Sequence, residues 1–100
     1  MKTHVLEIVT FRLRSGVSVE EFTAAGEATM PPVRQLPGFV DRRLVLAESG
    51  GFTDIVEWES MEAARGAMHA FGEIPEANVF AKMIDMETLD LTHQRIVVRS

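Results

Sequence analysis

The chain has 100 residues, 46% hydrophobic and 25% charged, the composition of an ordinary globular domain rather than of a disordered or fibrous chain. Ten Lys and Arg stand against fifteen Asp and Glu, a formal net charge of −5 with no basic run, which argues against nucleic acid or an anionic membrane surface as partner. There is no Cys, which removes disulfides, thiolate nucleophiles and Cys-based metal sites, and no apolar run approaches the roughly 20 residues that cross a bilayer.

Val5 to Leu13, rich in β-branched and aromatic residues, predicts a first strand. Met1-Lys2-Thr3-His4 leads straight into it without a signal-peptide layout, so a cytoplasmic location is expected. Ser15-Gly16 turns the chain, and Ser18-Val19-Glu20-Glu21 forms a capping box with Ser18 as N-cap and Glu21 at N3. Val19, Phe22, Gly26, Met30 and Val33 follow at helical spacing as one inward stripe, with Gly26 marking close approach of helix to sheet. Pro31-Pro32 predicts an end or a kink to this helix, with one more turn to Leu36 left open, and Pro37-Gly38 a turn.

Phe39 to Ala47 predicts a second strand, Ser49-Gly50-Gly51 a short hairpin loop, and Phe52 to Glu59 a third strand. Ser60 caps a second helix whose inward stripe is Ala64, Ala67, Met68 and Phe71, with Gly72 closing it. Pro75 sits in the first turn of a short helix from Ile74 to about Met83. Met86 to His93 predicts the fourth strand, with an extension over Arg95 to Val98 left open.

The order β-α-β-β-α-β is the ferredoxin-like split βαβ of the α+β class. It predicts one domain over residues 1–100: a four-stranded antiparallel sheet, strand one between strands three and four, both long helices on one face. Strand one is nonetheless apolar on both sides, with Val5, Val9, Phe11 and Leu13 against Leu6 and Ile8. Strand two shows the same, with Val40, Leu44 and Leu46 against Val45 and Ala47. A bare apolar sheet face is a liability in a monomer. A second copy covers it most simply through a two-fold interface, so a homodimer with facing sheets is expected.

Three segments carry a family resemblance: Val9-Thr10-Phe11-Arg12-Leu13-Arg14-Ser15-Gly16-Val17 before a capped helix, Leu36-Pro37-Gly38-Phe39 entering strand two, and Asp54-Ile55-Val56-Glu57-Trp58-Glu59-Ser60 running into helix two, followed by Ala63, Ala64 and Met68. Over nearly its whole length the chain resembles the dimeric α/β-barrel superfamily, most of all its antibiotic-biosynthesis-monooxygenase and stress-responsive branches. The resemblance implies a homodimeric barrel with an apolar pocket between sheet and helices. It is specific for fold and open for reaction, because the superfamily hosts many chemistries. Cofactor-free oxygenation of aromatic or polyketide-like ligands leads; a non-catalytic small-ligand-binding or stress-response dimer is the second reading, and haem binding or degradation the third. The haem-degrading branch carries an Asn on strand one and a Trp and a His after strand three. Here the only Asn is Asn78, and His69 lies opposite the Phe71 stripe, where an exposed helix residue is the plainer reading.

No metal or cofactor is expected. His69 and Glu73 form an i, i+4 pair with no third ligand, and His4 and Glu7 point to opposite faces of a strand. Gly50-Gly51 is no phosphate loop, and no Ser lies in a GxSxG elbow. What remains is acid–base work in an apolar pocket. Glu7, Asp54 and His93 interrupt apolar alternation on three strands. Antiparallel pairing brings the start of strand one to the ends of strands three and four, and so Glu7 towards Trp58 and His93. A buried carboxylate beside a His suits a general base, so Glu7 and His93 are the catalytic candidates. A purely structural Glu7–His93 pair, or pairing of Glu7 with Arg12, Arg42 or Arg43, is the plainer alternative. Phe11, Asp54, Trp58 and Met68 are the candidates for contact with a small apolar or aromatic ligand, although Trp58 also fits a purely core role.

Overall fold

The computed structural model describes residues 3–100, so Met1 and Lys2 of the N-terminal reading lie outside it. The elements run β1 (Val5–Leu13), α1 (Val19–Arg34), β2 (Phe39–Leu46), β3 (Phe52–Trp58), α2 (Met61–Phe71), α3 (Pro75–Lys82) and β4 (Ile84–Arg95). The strands form one antiparallel sheet in the order β2-β3-β1-β4, the ferredoxin-like arrangement that the sequence predicts.

The capping box forms as predicted: the Ser18 hydroxyl accepts from the Glu21 backbone N–H at 3.0 Å, and the Glu21 carboxylate accepts from the Ser18 N–H at 3.3 Å. The inward face of α1 is Phe22, Gly26, Thr29 and Val33. Thr29 therefore occupies the place expected for Met30, and Val19, at 43% exposure, leaves the stripe. Nor do Pro31 and Pro32 end the helix, which runs on to Arg34. The two prolines remove the bonds to the carbonyls of Glu27 and Ala28, and both residues are exposed, so water can serve those groups. At Gly26 a Cβ would stand 3.1 Å from Leu44 Cδ2, which is the close helix–sheet approach expected there.

Strand β2 departs from simple alternation. Phe39 pairs with Trp58 but Asp41 with Glu57, so an extra residue bulges out at Val40. Arg42 and Leu44 then face the helices opposite Val56 and Asp54, while Val40, expected beside Leu44, is 40% exposed. Strand β4 begins two residues earlier than predicted and ends at Arg95, short of Val98. Between Asp85 and Asp90 it loops away from β1. Thr88 Oγ1 holds that excursion by accepting from the Arg12 N–H at 2.8 Å and donating to the Asp85 carbonyl at 2.6 Å.

Two apolar clusters fill the space between sheet and helices. Phe11, Phe22, Phe52 and Phe80 pack ring on ring, with Phe22 centred 4.9 Å from Phe52 and 4.6 Å from Phe80. Val5, Val33, Val56, Trp58, Ala64 and Ala67 form the other. Among the described residues no helix covers the opposite face of the sheet, where Leu6, Ile8 and Ile55 are half-buried and Val45 is exposed. No helix among the described residues is long and apolar enough to cross a membrane.

Candidate functional site

A cavity of about 290 Å³ lies between the sheet and the helices, bordered by side chains of both apolar clusters. Its polar groups come from a single rung of the sheet and its neighbour. Glu7, Val56 and Arg42 pair in turn across β1, β3 and β2, His93 of β4 completes the rung outside the cavity, and Asp54 lies two residues from Val56 on the same side. Alternation explains the placement. Val5, Glu7 and Phe11 all turn towards the helices, and one polar residue in that series is carried into the interior by its apolar neighbours.

Glu7 is almost fully buried. Its Oε1 accepts from Trp58 Nε1–H at 3.4 Å, and its Oε2 lies 3.3 Å from His93 Nε2. That second contact is within ion-pair distance but is not aligned as a hydrogen bond, and Nε2 is buried with no hydrogen-bonding partner. Burial pushes the Glu7 carboxyl above its ordinary value. The neighbouring His93 and the Trp58 N–H oppose this rise, and the charge of Asp54 adds to it. The predicted meeting of Glu7, Trp58 and His93 is thus present in the structure, and Glu7 makes no ion pair with Arg12, Arg42 or Arg43.

Asp54 also reaches the cavity, but both its oxygens are held by Arg42, from Nε at 3.0 Å and Nη2 at 2.7 Å. Nη1 of Arg42 donates to Thr29 Oγ1 at 2.6 Å, and the guanidinium lies 5.4 Å from the Phe80 ring centre. Arg42 and Thr29 escape the sequence reading. The available signal was the phase of Leu44 and Leu46, which carries Arg42 inward between the outward Asp41 and Arg43. Phe11 and Trp58 border the cavity from the sheet, and Met68, 47% exposed, stands at its edge on α2. His69 is exposed on the same helix. Among the described residues no three His, Asp or Glu side chains converge in a way that could hold a metal ion.

A second polar cluster lies on the other face of the sheet. Glu57 accepts from His4 Nδ1 at 2.6 Å and from Arg99, which ties the residues after β4 back to the sheet. The His4 hydrogen bond, reinforced by Arg99, holds the Glu57 carboxyl below its ordinary value.

Solved structures share this fold. SnoaB, a cofactor-independent oxygenase from Streptomyces nogalater, superposes with a TM-score of 0.70 at 20% identity over 98% of this chain and 95% of its own. A monooxygenase from the gene ActVA-Orf6 of Streptomyces coelicolor, solved in complex with Nanaomycin D, gives 0.73 at 17% identity over 98% and 94%. A dimeric ferredoxin-like protein from an uncultured marine organism gives 0.72 at 11% identity over 99% and 92%. No protein-family model and no curated protein matches the sequence. The fold is therefore the ferredoxin-like one of these proteins, among them oxygenases of the kind the sequence resemblance pointed to. At these identities the likeness speaks to fold alone.

Proposed function

We propose that this protein is a cofactor-independent oxygenase of a small aromatic, hydroxyl-bearing ligand, with Glu7 as general base. The observation that carries the reading is a buried carboxylate, raised by its surroundings, at the wall of an otherwise apolar cavity. Such a group is matched to a weakly acidic hydroxyl better than an exposed glutamate would be. Glu7 takes the proton of a ring hydroxyl, and electron density moves to the ring carbon opposite. That carbon forms a bond to molecular oxygen, the co-reactant. The resulting peroxide takes a proton back from Glu7. The same carbon then loses its remaining hydrogen as a proton while the O–O bond breaks, so that the ring C–H becomes a carbonyl and the second oxygen leaves as water. Aromatic walls at Phe11, Trp58 and Phe80 favour a flat ligand, and Met68 at the edge adapts to its outline. The solved oxygenases of the same fold support the reaction class.

The working unit in this proposal is a homodimer. Leu6, Ile8, Ile55 and Val45 give the uncovered sheet face an apolar patch beside the Glu57 cluster, and a second copy covers it symmetrically. Sedimentation at micromolar concentration reads this directly, and a stable single subunit contradicts it.

Oxygen uptake with a panel of quinols tests the activity. Turnover in the wild type, lost in Glu7→Gln and reduced in His93→Ala, supports the reading. Turnover unchanged in both variants removes the base assignment, and no uptake with any quinol favours a ligand-binding protein without catalysis.

A further inference from the structure

Glu7 and His93 differ in what they face. Glu7 borders the cavity, whereas His93 stands behind it on β4 and does not. His93 Nε2 is buried, aimed at Glu7 Oε2 across 3.3 Å, and satisfied by no hydrogen bond. Nε2 is the sole buried side-chain nitrogen or oxygen without a hydrogen-bond partner among the described residues. The His93 side chain is nonetheless 17% exposed, so the part of the ring that meets solvent lies away from the buried Nε2. One imidazole thus reaches from the buried carboxylate to water, and the cavity side of Glu7 is apolar apart from the mutually satisfied Arg42–Asp54 pair.

We propose that His93 relays protons between Glu7 and solvent, by a route that stays open when a ligand fills the cavity. The idea deepens the reading of Glu7 as base and rests on it. In the outward step the Glu7 carboxyl gives its proton to Nε2 while the Nδ1 proton passes to water. The reverse step returns a proton for the water released at the end of the reaction. No electrons move and no heavy-atom bond changes. The charged or titratable groups around the pair are few. Asp54 and Arg42 neutralise each other, Trp58 donates to Oε1, and exposed Arg95 follows two residues along β4. From the helices Val33, Ala67, Phe71 and Phe80 face the cavity, and none titrates.

Trp58 makes the test independent of substrate. It is the only Trp and its indole N–H bonds to Glu7, so its emission reports the Glu7 proton. After a temperature jump in a buffer whose pH moves with temperature, the wild type relaxes fast. In His93→Gln, which keeps a polar group near Glu7 but cannot carry a proton, relaxation slows by about tenfold or more. In His93→Ala it slows likewise and recovers with added imidazole. A wild-type rate in His93→Gln, or no response of His93→Ala to imidazole, overturns the proposal. Nitrogen-15 spectra of wild-type His93 give a check that needs no variant: rapid solvent exchange of the Nδ1 proton is expected, and a protected Nδ1–H overturns the relay. If instead Glu7→Gln keeps full oxygen uptake while these rates hold, the base assignment fails and the relay stands.

Discussion

The Arg42–Asp54 pair offers the sharpest test of how the cavity is held open. The Arg42 side chain is 3% exposed and that of Asp54 10%. The guanidinium spans three elements, bonding twice to Asp54 on β3 and once to Thr29 on α1 from its own place on β2. Arg42→Met leaves a buried carboxylate with no cation, and Asp54→Leu leaves a buried guanidinium with no anion. Breaking such a pair from one side costs about 3–5 kcal/mol, whereas exchanging both partners for apolar residues is often close to neutral. In a domain whose whole stability is roughly 5–15 kcal/mol, each single change is severe. At about 4–8 °C per kcal/mol for a chain of this size, a loss of about 4 kcal/mol lowers Tm by roughly 16–32 °C. The double variant Arg42→Met with Asp54→Leu is expected to recover most of that loss. Urea unfolding followed by Trp58 emission, at one fixed protomer concentration, completes the double-mutant cycle. Single changes that each cost under about 1 kcal/mol, or a double change that costs their sum, would refute the idea that burial makes this pair an all-or-none unit.

Three further outcomes follow from particular contacts. Gly38 has φ +81° and a Cβ there would collide with the Cβ of Ala63, so Gly38→Ala should lower the melting temperature well beyond an ordinary surface change. Glu7 has a folded-state pKa above 4.5. Well below pH 4.5 the group is protonated in both states; above it the unfolded chain releases its proton first, so the cost of the native carboxyl grows until the pH passes the folded value and persists above it. Glu7→Gln should therefore gain stability over the wild type in melting curves as pH rises from below 4.5 to neutrality. Glu57 has the opposite sign: its stabilisation is present above 4.5 and lost as pH falls through its lowered folded value. Circular dichroism should accordingly show that Glu57→Gln loses stability at neutral pH and shows a shallower decline in acid.

Much of this was legible from spacing alone. The capping box at Ser18, the β-branched first strand and the Gly50-Gly51 hairpin each fix one local choice, and together they leave a single topology. Glu7, Trp58 and His93 could be brought together because antiparallel pairing of neighbouring strands decides which ends meet. Arg42 lies in the same phase as Leu44, so alternation placed it inward; what the sequence did not reveal is its buried partner Asp54 across β3, and the bulge at Val40, which no local composition marks, takes Val40 out of that phase. Thr29 was hidden by the helix: three and four residues after Gly26 both fall near the same face, and only the partner across it selects between Thr29 and Met30. The continuation of α1 through two prolines depends on which carbonyls they free, which spacing does not reveal.

The measurement closest to the heart of the account is a carbon-13 NMR titration of the Glu7 side-chain carboxyl, assigned by its absence in Glu7→Gln. The account predicts an inflection above the 4.5 of an unperturbed glutamate, with the Trp58 indole N–H resonance moving at the same pH. An inflection at or below that value would mean that the cavity does not hold back the charge of Glu7, and the base at its wall would lose its physical footing.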